Sequence, residues 1–413
     1  MLVDDKQIEQ IQKGLDILSK FGIEVDDNTA NLIKVKEDGL PVEIEDIYLL
    51  FPDDQDYSVY EIEEFLEYIS EIDSIKRIGL KTVKTKYISQ TLISSSRMGF
   101  YGFEDKLLSF SFKGDDINAF IVMNPFLFGV INAKDGIHDD DLSAGACEPY
   151  TAIEIRSKSE LDIDKVEELI ERFCFYITWK LGVDVYPSEI IDLNEYYYKI
   201  DEFYDEEETD DFSEIEISSI PPYSSLHKMY RLAKQIEDPE IQFLQYYKMV
   251  EHVSPMAAKK IAYDKLKTGM EKLSSVENDS TLLDPILSVF QKYDSDIRDE
   301  SLAYVVLESC TDVLSLFDML PNRLKIQIKG NMKMKNKTVN AESVTDEQLK
   351  SMRKQIANIL YSTRNRIVHA KYNYVPRDIE LQADELDEAN EMMDKIARSI
   401  IKWNLHLPQG FRV

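Results

Sequence analysis

Six residues near the C-terminus, Arg364-Asn365-Arg366-Ile367-Val368-His369, combine a permanent cation, a short amide and one of only five histidines. These residue types are suited to phosphodiester cleavage without a metal ion. Arginine offers a planar fork of N–H donors that fits phosphate oxygens in pairs. Histidine titrates near neutral pH, so it can both accept and return a proton. Arg364, Asn365 and His369 are therefore the candidate catalytic residues.

An amphipathic helix is predicted to carry these residues. Thr345 is followed three residues later by Gln348, which is the pattern of a capping box. Apolar positions recur after it at helical spacing, namely Leu349, Met352, Ile356, Ile359, Thr363 and Ile367. On an ideal helix Arg364 and His369 point about 140° apart around the axis, whereas Asn365 and His369 share a face.

Arg364 and His369 can meet one phosphate in either of two ways. The helix can loosen near its end, where Lys371-Tyr372-Asn373-Tyr374 and the later Pro376 favour termination. Alternatively, a second copy related by two-fold symmetry can place its own side chains across a shared groove. The sequence is compatible with both.

The second half of the chain reads as nearly all helix. A helix is predicted over residues 241–253, ended or kinked by Ser254-Pro255. Further periodic segments cover residues 257–273, 282–293, 301–320 and 376–405. Long helices with short connections indicate an antiparallel bundle over residues 225–405.

The first half, residues 1–200, reads as an α+β domain with a sensing or regulatory role. Helices are predicted over 6–21, over 58–72 with Ser58 as N-cap, and over 164–181, where Gly182 suits a left-handed C-terminal position. Strands are predicted over 77–85, 106–112, 119–122, 126–132 and 151–156. Residues 201–224 are predicted to be a linker, because repelling acids and Pro221-Pro222 disfavour a packed element.

Composition bounds the class of protein. With 413 residues, 44% hydrophobic and 31% charged, the chain is expected to be a soluble protein of two or more domains. The apolar run from Phe120 to Ile131 is interrupted by Asn124 and Pro125 and is too short to span a bilayer. The start of the chain lacks the pattern of a secretory signal. The three cysteines lack C-x-x-C and metal spacing and are expected to be buried thiols in a reducing compartment. We expect a cytoplasmic protein with no membrane partner.

Net charge restricts any contact with nucleic acid. The chain carries a formal charge of −30, so it cannot coat phosphate backbones indiscriminately. Residues 201–220 hold ten acids and no base, whereas residues 322–354 hold nine bases and three acids. The basic segment immediately precedes the helix of His369, although a solvated loop would have a similar composition.

The segment Ile356 to Lys371, IANILYSTRNRIVHAK, resembles the signature of HEPN domains in its common form Arg-Asn-x-x-x-His. Tyr361 before the arginine and the small Ala370 after the histidine also fit. The upstream helix FLQYYKMVEHV, which ends near Glu251, is similar to the first long helix of many HEPN domains. The resemblance covers roughly residues 225–405 and identifies no particular member.

The resemblance implies a metal-independent endoribonuclease that needs no cofactor. In such enzymes the 2′-hydroxyl attacks the adjacent phosphate, which leaves a cyclic phosphate and a free 5′-hydroxyl. By matching position, His369 would transfer protons, Arg364 would hold the phosphate, and Asn365 would orient the phosphate or the imidazole. The resemblance further implies a homodimer and a role as a toxin or an abortive-infection effector in antiviral defence. A phage-derived trigger or an antitoxin would then control it.

Four neighbouring cations are candidates for RNA binding: Arg353, Lys354, Arg366 and Lys371. Two other interpretations remain open. Arg364 and Arg366 could pair with nearby acids while His369 caps a helix end, without any catalysis. The helical domain could also be a non-catalytic dimerisation or RNA-binding module. Glu251 could hold a site residue or be a solvated carboxylate.

Signals for other chemistries are weak. The sequence lacks a P-loop, a Gly-x-Gly-x-x-Gly loop and a His-Glu-x-x-His pair. His138-Asp139-Asp140-Asp141 could bind a hard cation, but a surface turn after Gly136 explains it better. Glu154-Ile155-Arg156 resembles one half of a metal-dependent nuclease motif, with arginine in place of lysine. We predict no metal site and no cofactor.

Overall fold

The computed structural model describes residues 2–27, 29–30, 42–98, 103–137, 145–148, 150–188, 214–273, 299–334, 339–340, 343–369 and 377–412. The chain divides into two compact units, unit 1 (Met1–Tyr223) and unit 2 (Ser224–Val413). Unit 1 is an α/β unit with a mixed sheet, and unit 2 is helical.

Within the described residues, three sheets form the framework of unit 1. The strands are β1 Leu2–Val3, β2 Glu24–Val25, β3 Val42–Glu43, β4 Asp46–Leu50, β5 Ser58–Glu61, β6 Lys76–Ile78, β7 Thr82–Lys84, β8 Ile88–Ser94, β9 Ser111–Lys113, β10 Ile117–Met123, β11 Thr151–Ser157, β12 Tyr186–Pro187 and β13 Ile215–Glu216. The large sheet has the order β13-β9-β10-β11-β8-β7-β6, and β12 also pairs with β8. The smaller sheets are β2-β4-β5 and β1-β3. Strand β13 runs parallel to β9, which makes the large sheet mixed.

Five helices in the described residues cover these sheets: α1 Asp5–Ser19, α2 Ile62–Glu71, α3 Phe103–Leu108, α4 Phe126–Asp135 and α5 Ile163–Leu181. The predicted helix over 164–181 is confirmed, and Gly182 closes it in the left-handed region with φ 74°. Its face of Val166, Leu169 and Phe173 is buried in one core cluster with Ile153 and Ile155 of β11. A second cluster collects the buried faces of α1, α2 and α4.

Three predictions in unit 1 were wrong about the type of element. Residues 106–112 were predicted to be a strand, but Phe103–Leu108 forms α3 and the strand β9 begins only at Ser111. Residues 126–132 were predicted to be a strand, but they form α4, of which Phe126 to Ala133 are all buried. A continuous apolar run does not distinguish a buried helix from a buried strand. Ser58 was predicted to cap a helix, but it begins β5, and α2 starts only at Ile62. Val59 and Glu61 face outward while Ser58 and Tyr60 are buried, which is the alternation of a strand.

The segment before unit 2 is more ordered than a linker where the structure describes it. Ile215 and Glu216 extend the large sheet as β13. The guanidinium of Arg172 on α5 donates hydrogen bonds to the carbonyls of Ile217, Ile220 and Pro221. Residues 214–223 therefore pack on unit 1, while the acidic part of the predicted linker, 201–213, lies outside the described residues.

Unit 2 is built from helices: α6 Ser225–Lys234, α7 Pro239–Leu273, α8 Asp299–Cys310, α9 Val313–Met319, α10 Asn322–Asn331, α11 Asp346–His369 and α12 Leu386–His406. Helix α7 packs against α6, α8, α11 and α12. Of the two alternatives predicted for Ser254-Pro255, an end or a kink, the end was wrong, because α7 continues through Pro255 to Leu273. The predicted helix over 282–293 lies outside the described residues.

A half-buried carboxylate joins three of these helices. Asp394 of α12 accepts hydrogen bonds from Tyr230 of α6 at 2.9 Å and Tyr246 of α7 at 3.1 Å. Lys234 and Arg398 lie within 3.0 Å and 2.8 Å of the same carboxylate. Burial opposes ionisation, but these two cations lower the pKa of Asp394 overall. The network fixes α7 relative to its neighbours.

None of the helices in the described ranges combines the length and apolar character that a membrane crossing requires.

Candidate active site

Helix α11 positions the candidate catalytic residues, and its sequence explains why it forms. Thr345 and Gln348 make the predicted reciprocal cap, with the Gln348 amide donating to Thr345 Oγ1 at 3.3 Å and Gln348 Oε1 accepting from the Thr345 amide at 3.0 Å. Met352, Ile356 and Thr363 are buried, as the periodicity predicts. Thr363 Oγ1 accepts a hydrogen bond from the Leu381 amide at 3.0 Å, which ties the helix to the chain beyond it.

Arg364 lies at the edge of the bundle, held from two sides. One terminal nitrogen lies 3.1 Å from Glu251 Oε1 on α7. The other donates to Asn365 Oδ1 at 3.0 Å. The side chains of Arg364 and Glu251 are 29% and 36% exposed, so both remain accessible to a ligand. Glu251 therefore holds a candidate site residue and is not merely a solvated carboxylate.

A proline one turn further along α7 shapes the surroundings of Glu251. Pro255 has no N–H to donate to the Glu251 carbonyl, four residues earlier. The buried Ser254 supplies the missing donor, because its hydroxyl bonds that carbonyl at 2.9 Å. The backbone of the residue that holds Arg364 is thus satisfied by a side chain instead of by the helix.

His369 is the last residue of α11 and is exposed. It makes no hydrogen bond or ion pair to any residue that the structure describes, so nothing in the described ranges shows it capping the helix. The helix stays regular up to His369, which excludes loosening before that residue. Arg364 and His369 of one chain therefore point to different sides of α11, while Asn365 and His369 share one side.

Arg366 lies in a different environment from Arg364. Its side chain is 8% exposed and its terminal nitrogen donates to Glu240 Oε1 at 2.8 Å. Glu240 and Glu251 are eleven residues apart on α7, or about 16 Å at 1.5 Å per residue. The two arginines of α11 thus contact α7 at positions well separated along that helix. This burial favours a packing role for Arg366 over the predicted RNA binding.

The other predicted RNA-binding residues also differ in exposure. Lys354 is exposed, whereas Arg353 is half-buried and its Nε has no hydrogen-bond partner among the described residues. Lys371 lies outside the described residues. Of the predicted RNA-binding residues on α11, Lys354 is thus accessible, whereas Arg353 and Arg366 are partly or fully buried.

The remaining motifs do not assemble a second site. Glu154 of β11 is fully buried and accepts hydrogen bonds from Tyr68 and Gln90 at 2.6 Å and from Arg156 at 2.5 Å. Burial raises the pKa of this carboxyl, and its partners give it a structural role. His138 to Asp141 lie outside the described residues. Within the described ranges, no group of three or more His, Cys, Asp or Glu side chains is arranged to hold a metal ion.

Comparisons with protein-family models, with curated proteins and with solved structures found no match to this chain. The functional interpretation therefore depends on the site itself. Sequence periodicity located α11, but no signal in the sequence pairs Arg366 with Glu240 or Arg364 with Glu251.

Proposed function

We propose that the chain is a metal-independent endoribonuclease of the HEPN type, with its site at the end of α11. The observation that carries the proposal is the accessible Arg364 guanidinium, fixed by Glu251 and Asn365, on the same helix as an exposed imidazole. A fixed cation and a free proton-transfer group are the two elements that cleavage by the 2′-hydroxyl requires.

Each residue has a defined role in this reaction. His369 removes the proton from the 2′-hydroxyl or returns one to the leaving 5′-oxygen. Arg364 neutralises the charge that develops on the phosphate oxygens. Asn365 shares a helix face with His369 and bonds Arg364, so it can orient the guanidinium relative to the imidazole. Only RNA provides the internal nucleophile.

The proposal includes a homodimer and a regulated cytoplasmic role. Arg364 and His369 of one chain point to different sides of α11, so a two-fold partner would complete each site. Such a nuclease fits a toxin or an abortive-infection effector against phage, controlled by a phage-derived trigger or an antitoxin. Unit 1 would sense that trigger. Its groove of about 540 Å³, lined by Tyr87, Phe120 and Arg156 among others, offers a place for it.

A non-catalytic module is the second candidate, and the Arg364–Glu251 ion pair favours it, because paired arginines also occur as plain structural contacts. RNA cleavage in EDTA separates the two candidates. Purified protein is incubated with total RNA beside Arg364→Ala and His369→Ala, and 5′-hydroxyl ends are quantified. We expect wild type to cleave and each variant to lose about 100-fold or more in rate.

Matched controls are available on the same unit. Arg377→Ala removes an arginine that is 74% exposed, and His406→Ala removes an exposed histidine at the end of α12. Both should cleave like wild type. Cleavage that requires a divalent cation, or that survives in His369→Ala, would contradict the nuclease. Inactivity of all proteins, with and without phage lysate, would favour the module.

A further inference from the structure

The outer face of α11 continues from the candidate site toward the start of the helix. Its exposed or half-exposed residues include Lys350, Lys354, Asn358, Tyr361, Asn365 and His369. These six fall within about 100° of the helix circumference and extend over about 28 Å. We call this set the α11 stripe.

The charge of the α11 stripe is unusual for this chain. Acids make up 78 of the 413 residues, yet none occurs from Lys350 to His369. Lys350 and Lys354 are exposed and form no ion pair with any described residue. A chain of net charge −30 therefore presents a continuous non-acidic face with two accessible cations. Such a face is complementary to phosphate.

Tyr361 adds a second kind of contact. It is half-exposed and lies between Lys354 and Asn365 along the stripe. Aromatic rings among cations are how proteins bind unpaired bases, because every base has a face that can stack while its phosphates meet lysines. A duplex does not offer unstacked bases, so the aromatic position favours a single strand.

We propose that single-stranded RNA runs along the α11 stripe, with phosphates on Lys350 and Lys354 and a base stacked on Tyr361, so that the strand enters the site at Asn365 and His369. This inference rests on RNA being the ligand in the proposed function. It adds Lys350 and Tyr361 to the predicted Lys354 as residues of α11 that bind the substrate before it reaches the catalytic motif.

Binding of a fluorescent single-stranded 2′-O-methyl RNA tests the path, because that probe lacks the attacking hydroxyl and cannot be cleaved. Affinity is measured over a range of salt concentrations. Lys350→Ala with Lys354→Ala should make the slope of log affinity against log salt shallower by about 1.4, since each phosphate contact on a single strand contributes about 0.7. Tyr361→Ala should weaken binding at least about fivefold, whereas Tyr361→Phe should bind like wild type.

The matched control is Lys395→Ala with Lys402→Ala, which removes two exposed lysines of α12. If both lysine pairs change the slope equally and Tyr361→Ala binds like wild type, the path is wrong. It is equally wrong if wild type binds no RNA, or if the stripe variants change only the oligomeric mass in light scattering, which would identify a face between two copies. Cleavage is measured separately. If wild type binds RNA in this pattern but does not cleave it, the proposed nuclease is refuted, whereas the proposed RNA path is still supported.

Discussion

Two arginines on α11, separated by a single residue, show how burial decides the role of a side chain. Arg364 is accessible and pairs with Glu251, which is itself partly exposed to solvent. Arg366 is buried and pairs with Glu240. Removing a buried arginine leaves its carboxylate partner without a cation and opens a cavity in the packing. Removing an accessible arginine takes away a group that could contact a ligand. The same residue type thus serves packing at one position and candidate chemistry at the other.

Asp54 in unit 1 provides a test of pH dependence at the scale of one residue. Its Oδ1 accepts hydrogen bonds from the amides of Cys147 at 3.0 Å and Glu148 at 3.2 Å. Burial nevertheless raises the pKa of Asp54 from 3.8 to about 7. Between pH 3.8 and about pH 7, Asp54 is therefore protonated in the folded protein but ionised in the unfolded chain. The stability of the fold consequently falls as the pH rises through this range.

Asp54→Asn should remove that loss, because the amide stays neutral at every pH. The melting temperature of the variant, relative to wild type, is expected to rise by a few degrees between pH 5 and pH 8. Thermal unfolding at both pH values measures it. An offset between the two proteins that is the same at pH 5 and pH 8 would show that Asp54 does not titrate in this range.

The sequence locates the residues of the site but not their partners. Arg364, Asn365 and His369 can be selected from residue type and spacing, and Thr345 with Gln348 fixes where their helix begins. Glu251 lies more than a hundred residues away along the chain from Arg364. Contacts of that kind depend on how α7 packs against α11, and helical periodicity carries no information about it.

Helix α7 shows how one element accommodates a residue that breaks helices. The Ser254 hydroxyl satisfies the Glu251 carbonyl that Pro255 leaves without a donor. Ser254→Ala should therefore lower the free energy of unfolding by about 1–2 kcal/mol, because a carbonyl in the bundle loses its partner. In the Pro255→Ala background the new amide can bond that carbonyl, so the same serine change should cost much less.

Chemical denaturation of the wild type, the two single variants and the double variant gives the coupling between these positions. Ser254 is buried, so its replacement by alanine keeps the packing nearly unchanged. An equal cost of Ser254→Ala in both backgrounds would mean that the hydroxyl does not compensate for the proline.

Elements with a clear period were predictable, and those without one were not. Helices α5 and α11 alternate buried and exposed positions every three or four residues, which identifies them. Helix α4 is buried on all sides, so its sequence has no period to detect. Pro255 was predicted from local chemistry alone to end or kink its helix, but α7 continues past it, because the Ser254 hydroxyl and the packing of α7 offset the cost of the proline.

At the scale of the whole molecule, the proposed dimer makes a prediction about shared sites. If each site takes Arg364 from one chain and His369 from its partner, a heterodimer of Arg364→Ala and His369→Ala retains one intact site. Co-expression and random pairing should then restore roughly a quarter of wild-type cleavage, since half of the dimers are mixed and each has one of two sites. Cleavage of RNA by the co-purified mixture measures it.

The control is a mixture of the two separately purified variants at a concentration where subunits do not exchange, which should stay inactive. A co-expressed mixture no more active than either variant alone would place Arg364 and His369 of each site on the same chain, or exclude the dimer.

The carboxylate of Glu251 also affects how selectively the guanidinium of Arg364 binds an anion. A side chain of many rotamers that already rests on a fixed neighbour loses little further conformational entropy when a ligand arrives. Binding then becomes an exchange of one oxyanion for another around a stationary fork. Monodentate anions such as chloride should compete poorly there, while ligands presenting two oxygens at carboxylate-like spacing should displace the glutamate most readily.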